Sequence, residues 1–196
     1  MNDGRNDLVR DLARIAVFAA LIVVLGTVTI PLPGGVPITA QTLGVMLAGT
    51  VLGPRRAPLA VLLVLVLAAV GLPVLAGGRG GLGVFVGPTA GYLLGWVLGA
   101  VVIGLIVRSG PLSWWRIGLA TVGGGIAVVY LCGVPVQALV LGVDVVPTAL
   151  STVAFLPGDL LKAAAATVLT LTLARAYPPA FGSGDAIAER AQARAV

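Results

Sequence analysis

Six long apolar runs, separated by short polar or glycine–proline breaks, set the plan of this chain. They cover approximately residues 12–30, 39–52, 58–74, 89–107, 117–131 and 158–176. Runs this long and this poor in charge predict membrane-spanning helices. The breaks have a chemical origin. Gly53-Pro54, Gly87-Pro88, Gly110-Pro111 and Pro157-Gly158 each close one run or open the next, and proline suits the first turn of a helix. Runs 39–52 and 117–131 are short for a full span, at roughly 21–22 Å of helix for a rise of 1.5 Å per residue. They are expected to be tilted, extended by their flanks or partly re-entrant. Gly123-Gly124-Gly125 interrupts the later of the two, as happens in cavity-lining transporter segments. The connections 34–41 and 133–156 are apolar and are expected as loops that pack on the protein or lie in the interface. A Gly-apolar-Pro-apolar-x-Ala pattern begins at Gly35, Gly71 and Gly133. It reads either as an ordinary helix end or as a shared turn at an outer mouth.

Composition narrows the class. The 196 residues are 59% hydrophobic and only 10% charged, with mean hydropathy +1.11, whereas a soluble domain exposes far more charge. The expectation is an all-α membrane protein with six transmembrane helices. Residues 1–11 form a cytoplasmic N-terminus, 12–176 a single membrane domain and 177–196 a cytoplasmic polar tail. The first run reads as a spanning helix rather than a signal peptide, since no small-residue cleavage site follows it. The net charge of +5 does not imply nucleic acid, because the arginines are scattered singly between apolar spans. They carry a topology signal instead. With the N-terminus inside, the inner connections hold Arg5, Arg10, Arg14, Arg55, Arg56, Arg108, Arg116, Arg175, Arg190 and Arg194, and the outer ones hold only Arg79. That bias places both termini in the cytoplasm of a multi-pass protein of the cell (inner) membrane, with Trp114 and Trp115 at the inner headgroup layer.

Several chemistries are excluded. There is no histidine, so no histidine metal site or general base exists, and Cys132 is the only cysteine. The stretch Gly77-Gly-Arg-Gly-Gly-Leu-Gly83 lacks the Gly-Lys-Ser/Thr of a phosphate-binding loop, and the sole lysine, Lys162, is followed by Ala163. No ATP site, metal or cofactor is expected in this chain, and an enzyme is disfavoured for want of a nucleophile–base pair. The remaining chemistry concentrates at Lys162, in the apolar run 155–169, with Asp159 three residues before it. A helix puts the two on one face. A charge at bilayer depth costs about 2.5–3.5 kcal/mol and usually marks a ligand or ion path; the plainer reading is an acidic residue near a helix start paired with its neighbour. Around this pair stand Gln41 and Thr42 at the start of the second run, and Thr89 and Tyr92 one turn apart at the start of the fourth. Each reads either as cavity lining or as cap and interface anchor. Tyr130 and Gln137 are weaker candidates of the same kind. The glycines of 77–83, Gly78 and Gly80 among them, either present backbone N–H groups to a ligand or form a flexible turn. Ala13, Ala16 and Ala20 share one face of the first helix, a close-packing surface for another helix of this chain or of a partner.

Taken in order, Pro-Ile-Thr-Ala-Gln-Thr-Leu (37–43), Leu-Ala-Gly (47–49), Ala-Gly-Gly-Arg-Gly-Gly-Leu (76–82), Gly-Pro-Thr-Ala-Gly-Tyr (87–92) and Leu-Pro-Gly-Asp-Leu-Leu-Lys (156–162) resemble the BioY family. Its members are the biotin-binding S components of energy-coupling factor (ECF) vitamin transporters. The resemblance runs from about residue 12 to 176 and implies a six-helix protein that captures biotin from outside. It also implies partnership with a transmembrane coupling subunit and two cytosolic ATPases. Asp159 and Lys162 match the family's ligand-binding pair, and the small-residue face at Ala16 and Ala20 matches its coupling surface. Together with the residues read above, the expected ligand-binding set is Asp159, Lys162, Gly78, Gly80, Tyr92, Thr89 and Gln41, with biotin as ligand rather than cofactor. Arg79 departs from the pattern, which implies a small or polar residue, and the motif leaves its role open. An S component for another vitamin, or a proton-coupled secondary transporter using Asp159, are the alternatives; a homo-oligomer is compatible with the sequence.

Overall fold

The computed structural model describes residues 3–30 and 38–181. Gly35 of the recurring turn, Arg190, Arg194 and most of the expected polar tail lie outside the described residues. The chain forms helix α1 (Asp3–Leu25), a two-residue antiparallel pair β1 (Thr29–Ile30) and β2 (Ile38–Thr39), α2 (Gln41–Ala69) and α3 (Ala90–Arg108). Helix α4 (Trp114–Val122) continues through one π-helical stretch, Gly123–Val128, into α5 (Val129–Leu141). Helix α6 (Val145–Thr152) leads by a short 3-10 turn into α7 (Leu156–Ala176). Among the described residues, four helical stretches are long and apolar enough to cross a membrane: Gln41–Ala69, Ala90–Arg108, Trp114–Leu141 and Val145–Ala176. Helix α1 is 23 residues long, but its apolar part carries Arg10, Asp11 and Arg14.

Helix α2 folds back on itself. A straight helix of its 29 residues would separate its ends by about 42 Å at 1.5 Å per residue. Yet the side chain of Gln41, its first residue, donates to the Val74 carbonyl at 3.0 Å, just beyond its last. The reversal is at Gly53, whose φ of 78° and ψ of −177° belong to a region open essentially to glycine alone. Pro54 follows, where its missing N–H costs the second half nothing. The sequence break at Gly53-Pro54 is therefore a tight corner between two antiparallel limbs, not a loop reaching to Pro58.

Glycine also sets how closely the helices approach. Gly91, Gly95 and Gly99 line one face of α3 at intervals of four, and a Cβ there would lie 2.3 Å from the Cys132 carbonyl, 2.8 Å from Val129 Cα and 2.4 Å from the Gly124 carbonyl, respectively. Backbone therefore meets backbone along α3 and the α4–α5 stretch, the small-residue packing that membrane helices favour. Alanines, valines and Ile103 fill the seam between α2 and α3. The first limb of α2 runs parallel to α7: Lys162 bonds Thr42 and, eight residues on, Thr170 bonds Thr50 at 2.8 Å.

The expected loop over 133–156 is corrected. Residues 133–141 continue α5, and 145–155 are helical. Pro135 is accommodated inside the helix, as membrane helices allow where neighbours re-satisfy the freed backbone. Gly133, read as a helix end, instead lets the ring of Tyr92 pack closely against α5. The real stop is Gly142, in the left-handed conformation at φ 65°. Of the three recurring turns, only that at Gly71 closes a helix within the described residues.

Candidate functional site

A cavity opens at the end of the bundle where α2 and α7 begin. It is partly open to solvent, and its wall draws on several elements. Helix α7 supplies Asp159 and Lys162, α2 supplies Gln41 and Thr42, α3 supplies Thr89, Tyr92, Leu93 and Trp96, and the π-helical stretch and α5 supply Gly125, Val129 and Tyr130. Leu75, Ala76 and Arg79 come from the loop after α2. Mostly apolar walls with a few convergent polar groups are the usual form of a small-molecule site.

The polar centre is Asp159. Pro157 starts α7, which places Asp159 in the first turn and Lys162 on the same face. The ammonium of Lys162 donates to Asp159 Oδ1 at 2.8 Å and to Thr42 Oγ1 at 3.2 Å. The hydroxyl of Tyr130 donates to Asp159 Oδ2 at 2.5 Å. The ion-paired side chains are only 9% and 14% exposed. A buried ion pair contributes little net stability and is costly to break, so its retention here points to recognition rather than to holding the fold. Tyr92 packs edge-on against Tyr130, with ring centroids 6.4 Å apart, and its hydroxyl donates to Gln137 Oε1 at 2.7 Å.

The structure separates the sequence-expected residues into two groups. Asp159, Lys162, Tyr92, Thr89 and Gln41 share the cavity wall, whereas Gly78 and Gly80 do not. Gly78 is exposed at φ 72°, and Gly80 is pressed against the Leu72 carbonyl, where a Cβ would come within 2.2 Å. The glycines shape the loop, and its contribution to the wall is Leu75, Ala76 and the side chain of Arg79. Thr89 does not cap α3 with its side chain. Gln41 is fully buried and already engaged: its amide donates to Val74 O and accepts from Ala76 N, both at 3.0 Å. It is the fastening of the loop to α2, as well as part of the wall. Trp96, Leu93, Val129 and Phe155 were not expected, because an aromatic or aliphatic residue in an apolar run carries no sign of which face it takes. Ala16 and Ala20 lie exposed on α1, away from Ala19 and Ile22, which are buried against the bundle.

The family model described as BioY family matches residues 1–179. The chain belongs to the BioY family. BioY relatives include the biotin transporter BioY of Rhizobium etli, 47% identical over 179 residues, with 86% of this chain and 95% of the relative covered. Another is the biotin transporter BioY of Rhodobacter capsulatus, 50% identical over 185 residues, with 88% and 97% covered. Among solved structures, this BioY chain is similar to the S component for biotin from an ECF-type ABC transporter. The TM-score is 0.82 at 31% identity, over 87% of this chain and 93% of that one. The glycine-rich loop, the α3 glycine face and the Asp159–Lys162 turn thus belong to a BioY membrane protein whose regular elements, among the described residues, are helices apart from the short β1–β2 pair.

Proposed function

We propose that this protein is the high-affinity biotin-binding and uptake subunit, the S component, of an ECF-type vitamin transporter. The observation that carries the reading is the buried Asp159–Lys162–Tyr130 cluster at the centre of an otherwise apolar cavity, in a chain whose relatives are named biotin transporters. Biotin offers a ureido group with two N–H donors and one carbonyl, an apolar bicycle and a chain ending in a carboxylate. Asp159 is the acceptor for the ureido N–H groups, and Lys162 a donor to an oxygen of the ligand. Trp96, Leu93, Phe155 and Tyr92 cover the apolar part.

The same reading includes six spans with both termini cytoplasmic, since the corner at Gly53 divides α2 into two limbs. The arginine distribution supports it. Arg56 pairs with Asp11 at 2.9 Å, and Arg108 reaches the Val51 carbonyl at 3.4 Å. Arg79 is at the cavity end. Residues 1–11 and 177–196 would then be cytoplasmic extensions of the 12–176 membrane domain, in the cell (inner) membrane. The partners are a transmembrane coupling subunit, docking on the exposed Ala16 and Ala20 face, and two cytosolic ATPases. This subunit acts without a cofactor of its own. Titration of the purified protein with biotin in a calorimeter tests the reading. Saturable binding at one site per chain is expected; no heat with biotin, but binding of a different vitamin, would replace biotin as the ligand.

A further inference from the structure

The cavity wall carries one formal charge that the site does not neutralise itself. Asp159 and Lys162 compensate each other at 2.8 Å. Arg79, half-buried in the same wall, has no such partner: among the described residues no carboxylate lies within ion-pair distance of it. Its Nε donates to the Ala76 carbonyl at 3.1 Å, which ties the guanidinium to its own loop. That bond leaves the two terminal nitrogens as donors in a fixed fork, the geometry that suits a carboxylate. The loop is in turn held to α2 by Gln41, so the fork is presented from an anchored position.

We propose that Arg79 binds the carboxylate of biotin, so that the acid end of the ligand lies at the 75–81 loop and the ureido ring at Asp159, Lys162 and Tyr130. The inference rests on biotin being the ligand. A ligand with one anionic end and one neutral hydrogen-bonding end meets a site with one unneutralised cation and one self-neutralised pair. The opposite placement sets the ligand carboxylate beside Asp159, where two like charges compete for one ammonium, and leaves a guanidinium facing an uncharged ring. Burying a carboxylate is tolerable only where it is paired, and a guanidinium pairs with it through two parallel bonds.

Calorimetry with biotin and with biotinamide, which keeps the ring and chain but lacks the charge, separates the outcomes. The wild-type protein should prefer biotin over biotinamide by about 10–150-fold, the range of one strong charge-assisted contact. Arg79→Gln should lose most of that factor for biotin and lower biotinamide affinity far less, since only a bond to a neutral acceptor is lost there, and the retained biotinamide binding reports that the cavity is intact. Arg79→Lys should retain part of the preference, as a point charge without the fork. If Arg79→Gln weakens both ligands equally, the residue acts only on loop structure, and the proposal fails. It fails too if biotin affinity is unaffected, since the fork then serves an acceptor outside the site such as a lipid phosphate. A wild-type protein that binds neither compound overturns the biotin reading itself.

Discussion

Asp159 is held by a cation on one oxygen and a neutral hydroxyl on the other, and replacing either charged member has a definite cost. Asp159→Asn and Lys162→Gln should each weaken biotin binding by about 10–150-fold, from a lost charge-assisted bond worth about 1.5–3 kcal/mol and a stranded partner. Lys162→Arg should bind poorly as well, because a planar fork does not replace a compact ammonium set between Asp159 and Thr42. Calorimetry on the purified variants measures all three, and near wild-type affinity in both charge-neutralised variants would make the pair purely structural. Gln41 calls for a different readout. Gln41→Ala removes both bonds to the 74–76 backbone, so amide exchange over residues 74–81 should accelerate while that of α3 stays unchanged. The Asp159–Lys162 pair was legible in the sequence because the only lysine stands three residues from a carboxylate in an apolar run. Tyr130 was legible only as a weaker cavity-lining candidate; its bond to Asp159 was not, since helix packing closes that distance and no spacing along the chain encodes it.

At the scale of elements, the helix ends were legible where glycine or proline acts on its own backbone and misread where it acts on a neighbour. Gly53 belongs to the first kind. Gly53→Ala should destabilise the protein by about 1–3 kcal/mol from backbone strain, while the Arg108 guanidinium beside it, the far end of a flexible side chain, has only to shift. Gly133 belongs to the second kind: it looked like a helix end, but it makes room for a ring. The glycine face of α3 predicts a contrast. Gly95→Leu should collapse the melting temperature by driving a side chain into Val129, whereas Gly118→Leu, which meets nothing within 4 Å, should be tolerated. On α1, Ala16→Trp combined with Ala20→Trp should leave biotin binding nearly intact and abolish ATP-driven uptake, because both alanines face outward and bulk there prevents close approach of a partner helix. Loss of biotin binding in that double variant would place the coupling surface elsewhere.

For the whole molecule, sidedness is the property to test. In a Cys132→Ala background, Gly83→Cys and Ser109→Cys occupy opposite ends of the bundle and both positions are exposed. An impermeant thiol reagent applied to intact cells should label the first and spare the second; the reverse pattern would invert the topology. The arginine bias and the break at Gly53-Pro54 made this reading available from the sequence, whereas the tightness of the corner, which brings Gln41 back to Val74, is a matter of packing that no local pattern encodes. The closed cluster around Asp159 has a bearing on release. Both carboxylate oxygens already have donors from the chain itself, so an arriving ligand must share or displace them, and a departing one hands them back. In the proposed reading, unloading would therefore strand no bare carboxylate at Asp159, and that end of the cavity could reset without first drawing in water. Capture and discharge of the ring end would then depend on the same three side chains.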